Sequence, residues 1–361
     1  MATPAELGYR MPAEWQRHTA TWLTWPKDPE TWPNRVPQVE EIFLQMMAAL
    51  VPHEIVNLLV DDPDTEAAVR ARCVFPGAQN IRCHHIPTVD SWIRDYGPNF
   101  LLNDKNQLAY NDWIFNAWGN KYEELKQDDS IPTRLESLLQ VPRFTPGIVM
   151  EGGSIEVNGA GCVLTTEQCL LNPNRNPHLG KDAIEQYLKS YLGIEKLLWL
   201  GEGIVGDDTD GHIDDIARFV APNVIACAME DDPEDANYKL LQDNLSRLRA
   251  MTDAQGRAFE IVTLPMPGVV GGTSTGSPAG QPRWGGSTDN RNLDRLPASY
   301  ANFYIANEVV LAPVFGHAND SRAVEILQRL FPDRRVVAIN CEPLVWGMGT
   351  IHCVSQQQPQ A

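Results

Sequence analysis

Apolar residues recur along this chain in short runs, with Pro, Gly and Asn at the breaks. Val39, Ile42, Phe43, Met46 and Leu50 fall at i, i+3, i+4, i+7 and i+11 behind Pro37, which predicts one buried face of a helix. Residues 54–60 predict a strand, 63–73 a short helix and 81–86 another strand. A hairpin is predicted over 154–171 with Asn158-Gly159 at its turn, followed by a helix over 181–192 and the apolar run 197–200. A second hairpin, 216–229, turns at Pro222-Asn223 ahead of a helix with Leu241, Leu245 and Leu248 on one face and a strand over 259–264. A third, 303–315, bends near Asn307; a helix directing Ala323, Ile326, Leu327 and Leu330 inward and a strand over 335–339 follow. Hairpin, helix and strand thus recur three times in one order, with fainter versions nearer the N-terminus. Recurrent small α/β units predict a repeat architecture closed into a ring rather than one doubly wound sheet.

Composition sharpens this picture. With 27 Pro and 26 Gly in 361 residues, many short elements are expected rather than a few long helices, and the length allows one large domain or two. The 47 acidic and 29 basic residues give a formal charge of -18, a field that repels nucleic acid and anionic membrane and attracts small cations, although solubility alone would also account for it. Cysteines at 73, 83, 162, 169, 227, 341 and 353 are odd in number and lack paired metal or redox spacing, as in a reduced intracellular protein. No basic flank precedes an apolar run near Met1, and no apolar stretch approaches the ~20 residues of a membrane span. The expectation is a cytoplasmic protein with no membrane or nucleic-acid partner, and a homo-oligomer is left open. Trp15, Trp22, Trp25 and Trp32 fit core packing or a lid over a cation, core being the commoner use. The Gly/Ser/Thr-rich segment 268–294 is expected to be a lid, because long structureless loops are usually functional.

The candidate nucleophile lies in Gly347-Met348-Gly349-Thr350-Ile351-His352-Cys353, just ahead of residues 355–361, which read as a polar tail. A thiol attacks as its thiolate, so Cys353 needs a base, a cationic neighbour or a cationic substrate. Gly347 and Gly349 permit a sharp turn and close approach of a ligand. A cysteine among apolar residues is more often inert core, and His352 does not change that, because neighbours on an extended segment point to opposite faces.

The base must come from elsewhere, and four stretches set polar residues in unusual company. Val89-Asp90-Ser91-Trp92-Ile93-Arg94-Asp95-Tyr96-Gly97-Pro98 puts charges between aromatics at a turn, where Asp95 alone would pass for an Arg94-paired or capping residue. Phe115-Asn116-Ala117-Trp118-Gly119-Asn120 is a weaker signal. Glu151-Gly152-Gly153-Ser154 sets a carboxylate before a hairpin, as a solvated strand end also would. Asp210-Gly211-His212-Ile213-Asp214-Asp215 says most: if extended, it puts His212 and Asp214 on one face and turns Asp215 away. A histidine beside carboxylates tends to stay protonated, as a general acid needs. One thiol, one histidine and several carboxylates with no evident cationic clamp suit a planar cation, since carboxylates bind guanidinium through paired N–H···O bonds.

In this order the stretches resemble the agmatine deiminases, of the Porphyromonas-type peptidyl-arginine deiminase family in the guanidine-modifying superfamily of five-bladed α/β propellers. The likeness runs from Met11-Pro12-Ala13-Glu14-Trp15 to Ile351-His352-Cys353. It implies a single pentein-like α/β propeller domain over residues 1–361, built of small ββαβ-type units. It also implies Cys353 as nucleophile, His212 as general acid and base, Asp95 and Asp214 as guanidinium ligands, and Glu151 orienting the histidine or adding a third carboxylate. Trp92, Trp118 and Gly153 would line the substrate. The implied reaction is hydrolysis of agmatine, a small cationic guanidine, to N-carbamoylputrescine and ammonia in polyamine biosynthesis, with no metal and no cofactor.

Three positions depart from the family pattern. Gly347-Met348-Gly349-Thr350 replaces a glycine run followed by Asn, Asp215 stands where Asn often does, and Arg218 where a smaller uncharged residue is expected. They leave the substrate's far end open, with a deiminase of peptidyl-arginine or another small guanidine as the alternative; Glu202, Asp207, Asp208 and Asp210 lean toward a dication. A metal-dependent ureohydrolase is a remote alternative, because His212-Ile213-Asp214-Asp215 is one metal-type cluster where a binuclear site needs two. Carboxylates near the thiol disfavour its thiolate, whereas charged His212 and a bound cation favour it, so substrate-assisted ionisation is expected.

Overall fold

The helix predicted behind Pro37 forms as Val36–Leu50, with proline in its first turn, where no intrahelical N–H is needed, and Val39, Ile42, Phe43, Met46 and Leu50 buried. It connects two parallel strands, His18–Thr24 and Ile55–Val60, and Ile81–His85 extends the sheet in parallel. Both faces of Ile55–Val60 are covered, which is why its sequence is nearly continuous in apolar residues rather than alternating. The computed structural model describes residues 2–271 and 295–361; of the segment expected to be a lid, residues 272–294 lie outside the described residues.

Among the described residues the strands form five small sheets on one plan. Two antiparallel strands are followed by a helix and then by a strand parallel to the second. Glu156–Val157, Cys162–Thr166, helix Lys181–Leu192 and Lys196–Leu200 make one such unit. Ala217–Ala221, Val224–Met229, helix Tyr238–Ala250 and Glu260–Pro265 make the next. Tyr304–Ile305, Val309–Val314, helix Asp320–Leu330 and Arg335–Asn340 make a third. These are the three repeats visible in the sequence. A fourth precedes them: Asn99–Asn103, Leu108–Asn111, helix Ile131–Leu139 and Arg143–Phe144, with Tyr9–Arg10 on its outer edge. Its last strand is only two residues long, too short to show a period.

The fifth unit is split between the ends of the chain. Ser355–Pro359 runs antiparallel to His18–Thr24, which leads through Val36–Leu50 to the parallel strand Ile55–Val60. Residues 355–359 are therefore a strand and not a polar tail, which corrects the sequence-based expectation; only Gln360 and Ala361 beyond them are exposed. The glutamines are held there by one side-chain hydrogen bond each: Gln356 Nε2 donates to Pro98 O at 2.7 Å, Arg94 Nη1 to Gln357 Oε1 at 2.7 Å and Trp22 Nε1 to Gln358 Oε1 at 2.9 Å. The expected 154–171 hairpin is also shorter than its apolar run. Its second strand stops at Thr166, whose hydroxyl caps the short helix Glu167–Leu170 by accepting from Cys169 N–H.

Trp22, Trp25 and Trp32 are core residues, as the commoner use of tryptophan implied, and Trp15 packs half-buried against two other clusters. Among the described residues no helix is long and apolar enough to cross a membrane.

If the last strand is structural, removing residues 355–361 strips Arg94 of its Gln357 partner and uncovers His18–Thr24. A urea midpoint shift corresponding to at least about 3 kcal/mol, or failure to fold, is expected. Deleting Gln360 and Ala361 alone should leave the midpoint within error; equal, negligible effects of the two truncations would contradict the pairing.

Candidate active site

Just before the first strand of each unit the chain makes a short turn, and these turns carry the polar motifs. Ile93–Tyr96 holds Asp95 ahead of Asn99, and Gly152–Ser154 follows Glu151 ahead of Glu156. Ile213–Asp215 follows His212 ahead of Ala217; residues 299–302 precede Tyr304; and residues 347–354, with Cys353, precede Ser355. Hydrogen bonds tie each turn to its neighbours. Arg94 N–H donates to Cys353 O at 3.2 Å, Gly153 N–H to Asp95 Oδ1 at 2.9 Å, Ser299 Oγ to Asp215 O at 2.7 Å and His352 N–H to Asn302 Oδ1 at 3.0 Å. The segment leading into the third turn is tied to the second unit's strand Cys162–Thr166, where Thr166 Oγ1 donates to Gly211 O at 2.6 Å.

A cavity of about 290 Å³ is lined by Trp92, Trp118, Asp95 and Cys353, by Gly347, Met348 and Gly349, and by Asp208 and Thr209. Close approach explains three glycines. A Cβ on Gly349 would lie 3.0 Å from Cys353 Sγ and 2.8 Å from the Trp92 ring, and one on Gly347 would lie 2.5 Å from Trp32 Nε1. A Cβ on Gly153 would lie 2.7 Å from His212 Nδ1, 2.8 Å from Asp95 Oδ1 and 3.2 Å from Asp214 Oδ2, so these three atoms surround one small space.

Trp118 is presented by strained backbone. Ala117, Trp118, Gly119 and Asn120 all have positive φ, a single left-handed turn that L residues rarely adopt. Asn116 holds it by accepting from Gly119 N–H at 2.8 Å, and Trp118 Nε1 thereby donates to Asp95 Oδ2 at 2.9 Å. Asp95 is thus bound to Trp118 and Gly153 and not to Arg94, which instead serves Gln357 and the His352 carbonyl and lies 3.5 Å from Glu14.

The electrostatics separate the two aspartates. Burial pushes the Asp95 carboxyl up; Asp214 and Glu151 add to this, and charged His212 opposes it. Burial would also raise Asp214, but His352, whose Nδ1 lies 2.7 Å from Asp214 Oδ2, holds it below its ordinary range together with His212 and Arg218. Burial alone would depress the His212 imidazole. Asp95, 3.8 Å from its Nδ1, and Glu151 and Cys169 instead hold it well above the usual histidine range. Cys353 is pushed well up by burial and then by Asp214, Asp215 and Asp95; its sulfur lies 3.7 Å from Asp214 Oδ2.

Several expectations require correction. The stretch from His212 is a short helical turn rather than extended, and Asp215 does not turn away: its Oδ1 accepts from Asn302 Nδ2 at 3.0 Å. His352, set aside as facing away, lies in a turn and bridges Asp214 to Glu14 Oε2, 2.8 Å from its Nε2. Glu151 is no solvated strand end; it is fully buried and accepts from Arg175 Nε at 2.8 Å. Nor does the site lack cations. Arg175 joins Glu151 to Asp210 and to Thr209 O, and wholly buried Arg218 joins Glu14 to Glu156. Burial works against the charge on Arg218, and Glu14, Glu156 and Asp214 more than restore it.

Of the acidic group 202–210, only Asp208 lines the cavity. Glu202 is exposed, Asp207 accepts from the Thr209, Gly211 and His212 amides, and Asp210 binds Lys121, Asn174 and Arg175. Lys121 also lies 3.8 Å from Asp208, and the Tyr122 hydroxyl donates to that carboxylate. Sequence reasoning missed His352, Asn302, Arg175 and Glu14 as parts of the site. For Asn302 a signal existed: it occupies the entry turn of its unit, as Asp95, Glu151, His212 and Cys353 do in theirs.

Among the described residues one group of metal-ligating type comes together. Glu151, Cys169 and His212 each place an atom within 4.8 Å of the others. The Arg175 guanidinium already occupies Glu151, so a dication there would face a fixed positive charge. What the arrangement offers is a sulfur and the Asp95 carboxylate in the lining of a cavity that two indoles share, with the His212 imidazole and the Asp214 carboxylate meeting Asp95 beside Gly153.

The sequence model of a family described as Porphyromonas-type peptidyl-arginine deiminase matches residues 10–359. The agmatine deiminase of Pseudomonas syringae pv. tomato is 40% identical over 363 residues, covering 99% of this chain and 97% of that protein. That of Ectopseudomonas mendocina is 39% identical over 362 residues, with 99% and 97% covered. The solved structure of Enterococcus faecalis agmatine deiminase catalysing its reaction is 37% identical and superposes with a TM-score of 0.89, covering 100% of this chain and 98% of that one.

The charge on His212 is tied to Asp95. A raised imidazole contributes stability in full below the ordinary histidine range and loses it as pH rises through the folded-state value. By NMR, His212 is expected to titrate above free histidine, and Asp95→Asn should lower its midpoint by about one unit or more; an unmoved midpoint would contradict the pairing.

Proposed function

This chain belongs to the Porphyromonas-type peptidyl-arginine deiminase family, and from that premise we propose that it hydrolyses agmatine to N-carbamoylputrescine and ammonia through a covalent amidino-cysteine intermediate. It is a hydrolase acting on a C–N bond of a linear amidine, and the product places it in polyamine biosynthesis. The observation that carries this reading is that Asp95 and Cys353 line one cavity together with Trp92 and Trp118, with Asp214 Oδ2 3.7 Å from the sulfur. Asp214 Oδ1 is buried without a hydrogen-bond partner among the described residues, an acceptor suited to a guanidinium N–H.

The guanidinium docks on Asp95 and Asp214, stacked by the indoles. Its charge offsets the carboxylates that hold the Cys353 proton, that proton passes to solvent as the cation binds, and the thiolate attacks the central carbon. A C–S bond forms; His212 gives its proton to one nitrogen, that C–N bond breaks, and ammonia departs. A cationic amidino-thioether remains. Neutral His212 then takes a proton from water as its oxygen attacks the same carbon, the C–S bond breaks, and the ureido product and thiolate separate. The second water proton passes to solvent, where it converts the released ammonia to ammonium. Glu151, held by Arg175, sustains the charge on His212 rather than contacting substrate.

Substrate choice rests on the far wall. Asp208 supplies negative charge there, and none of the described lining residues is Arg or Lys, as an arginine carboxylate would require. Peptidyl-arginine is the second reading, kept because it is the family's own description. The five sheets are taken as blades closing into a single five-bladed α/β propeller domain, because one sheet is completed by both chain ends. All seven cysteines are unpaired, which fits a reducing cytoplasm.

Ammonia release from agmatine is expected to exceed that from free arginine or a C-terminal-arginine peptide. Cys353→Ser should lower the rate at least about 1,000-fold, and acid-quenched wild-type protein should carry the amidino adduct on Cys353 by mass spectrometry. Preference for the arginine peptide would replace the proposed substrate, and full activity of the serine variant would refute the mechanism. Separately, an unreactive guanidine ligand should lower the pH midpoint of ligand-dependent ionisation at Cys353, followed by alkylation kinetics; an unchanged profile would reject substrate-assisted ionisation.

A further inference from the structure

The nucleophile of the proposed reaction is set among negative groups. Asp214 and Asp215 face the Cys353 sulfur from the third entry turn and Asp95 from the first, and all three disfavour its ionisation. A bound guanidinium relieves this only while it is present, and the thiolate must also be a competent leaving group when the ureido product forms. Something in the protein has to accept the sulfur's charge.

The fourth entry turn supplies a donor that no motif pointed to. Asn302 is wholly buried, and its amide orientation is fixed by two donors to its oxygen: Thr350 Oγ1 at 2.7 Å and His352 N–H at 3.0 Å. With Oδ1 so engaged, Nδ2 must face the other way. There it spends one N–H on Asp215 Oδ1 at 3.0 Å and the other on Cys353 Sγ at 3.2 Å. Burial, with Asp214 and Asp207, pushes the Asp215 carboxyl well up, which weakens the charge it sets beside the sulfur.

A neutral thiol and a thiolate ask different things of this amide. The thiol has a hydrogen to give, with Asn302 Oδ1 at 3.5 Å and Asp214 Oδ2 at 3.7 Å within its reach. The thiolate only accepts. Among the described residues Asn302 is the only side chain with a hydrogen-bond donor on the sulfur, and the Thr350 backbone N–H also favours the ionised form. Hydrogen bonds to a charged acceptor are stronger than those to a neutral one, so the Asn302 contact gains strength as the charge appears. The position repeats across the fold: each unit's entry turn contributes one group, namely Asp95, Glu151, the His212–Asp214 pair, Asn302 and Cys353.

We propose that Asn302 is a catalytic residue whose Nδ2–H stabilises the Cys353 thiolate when it forms for attack and again when it is expelled. This rests on the reading of Cys353 as nucleophile. It assigns the fourth unit a chemical role rather than a purely structural one.

The test is the pH dependence of iodoacetamide alkylation at Cys353, read by peptide mass spectrometry in the absence of substrate. Asn302→Ala is expected to move the midpoint up by about one to two pH units, and Asn302→Asp, which puts an acceptor where the donor was, at least as far. The value of kcat/KM for agmatine at neutral pH should fall about 10- to 100-fold in Asn302→Ala, carried by kcat, with partial recovery at higher pH. If those variants do not fold, Thr350→Val, which keeps the backbone N–H but frees one of the two contacts fixing the amide, should move the midpoint in the same direction by less. A folded Asn302→Ala with an unmoved midpoint overturns the proposal whatever its activity, as does an unmoved midpoint in Thr350→Val where it alone folds. The two readings fail separately: agmatine turnover by Cys353→Ser would remove the deiminase mechanism without touching the thiol titration.

Discussion

The pairing of Ser355–Pro359 with His18–Thr24 is the interaction on which the rest of the site depends. Cys353 lies two residues before that strand, and its carbonyl is held by the Arg94 amide while the Arg94 guanidinium reaches Gln357 in the strand itself. Trp22 and Gln358, bonded across this ladder, are 336 residues apart in sequence. The sulfur therefore reaches Asp214 only once the two chain ends have met. Closing so long a loop costs little more than closing one half its length, because the entropy grows only with the logarithm of the number of residues. A split unit is thus an inexpensive way to hold this sulfur in place.

The second constraint is charge. Glu14, Asp95, Glu151, Glu156, Asp214 and Asp215 are all buried, and carboxylates persist away from water only when paired or protonated. Arg218 answers Glu14 and Glu156, Arg175 answers Glu151, and His352 stands between Asp214 and Glu14. Burial pushes the Asp215 carboxyl well up, and Asn302 Nδ2 donates to it. Asp95 and Asp214 are consequently driven in opposite directions, which gives one site two carboxylates of different character. The strained turn at Trp118 belongs to the same economy of positions, since it brings an indole N–H to Asp95.

Much of the fold was legible because its units are local. Val36–Leu50, Lys181–Leu192 and the hairpins at Pro222-Asn223 and Asn307 follow from periodicity and turn residues within windows of a dozen or so positions. What failed was the reading of segments whose partners are distant. Residues 355–359 carry a polar sequence and looked like a tail, because a strand of glutamines has no hydrophobic period. The fourth and fifth repeats were faint for related reasons: one ends in a two-residue strand, and the other is divided between the termini.

The site divides along the same line. Cys353, His212, Asp95, Asp214 and Glu151 stand in short motifs of polar residues among glycines and aromatics, and a chain read alone can nominate them because such company is chemically odd. Asn302 and Arg175 stand in no such company, His352 and Glu14 do, and the importance of all four lies in what they touch. Whether His352 points away from Asp214 or at it is a question of backbone direction over three residues, and a turn in place of an extended segment reverses the answer. The sequence by itself determined which chemistry was on offer, the local elements and the identity of the reactive groups, since these depend on side-chain type and near neighbours. Only the tertiary structure decided which carboxylate is pushed up and which held down, which amide faces the sulfur and which arginine is spent, because burial and distance set those energies and neither is local in the chain.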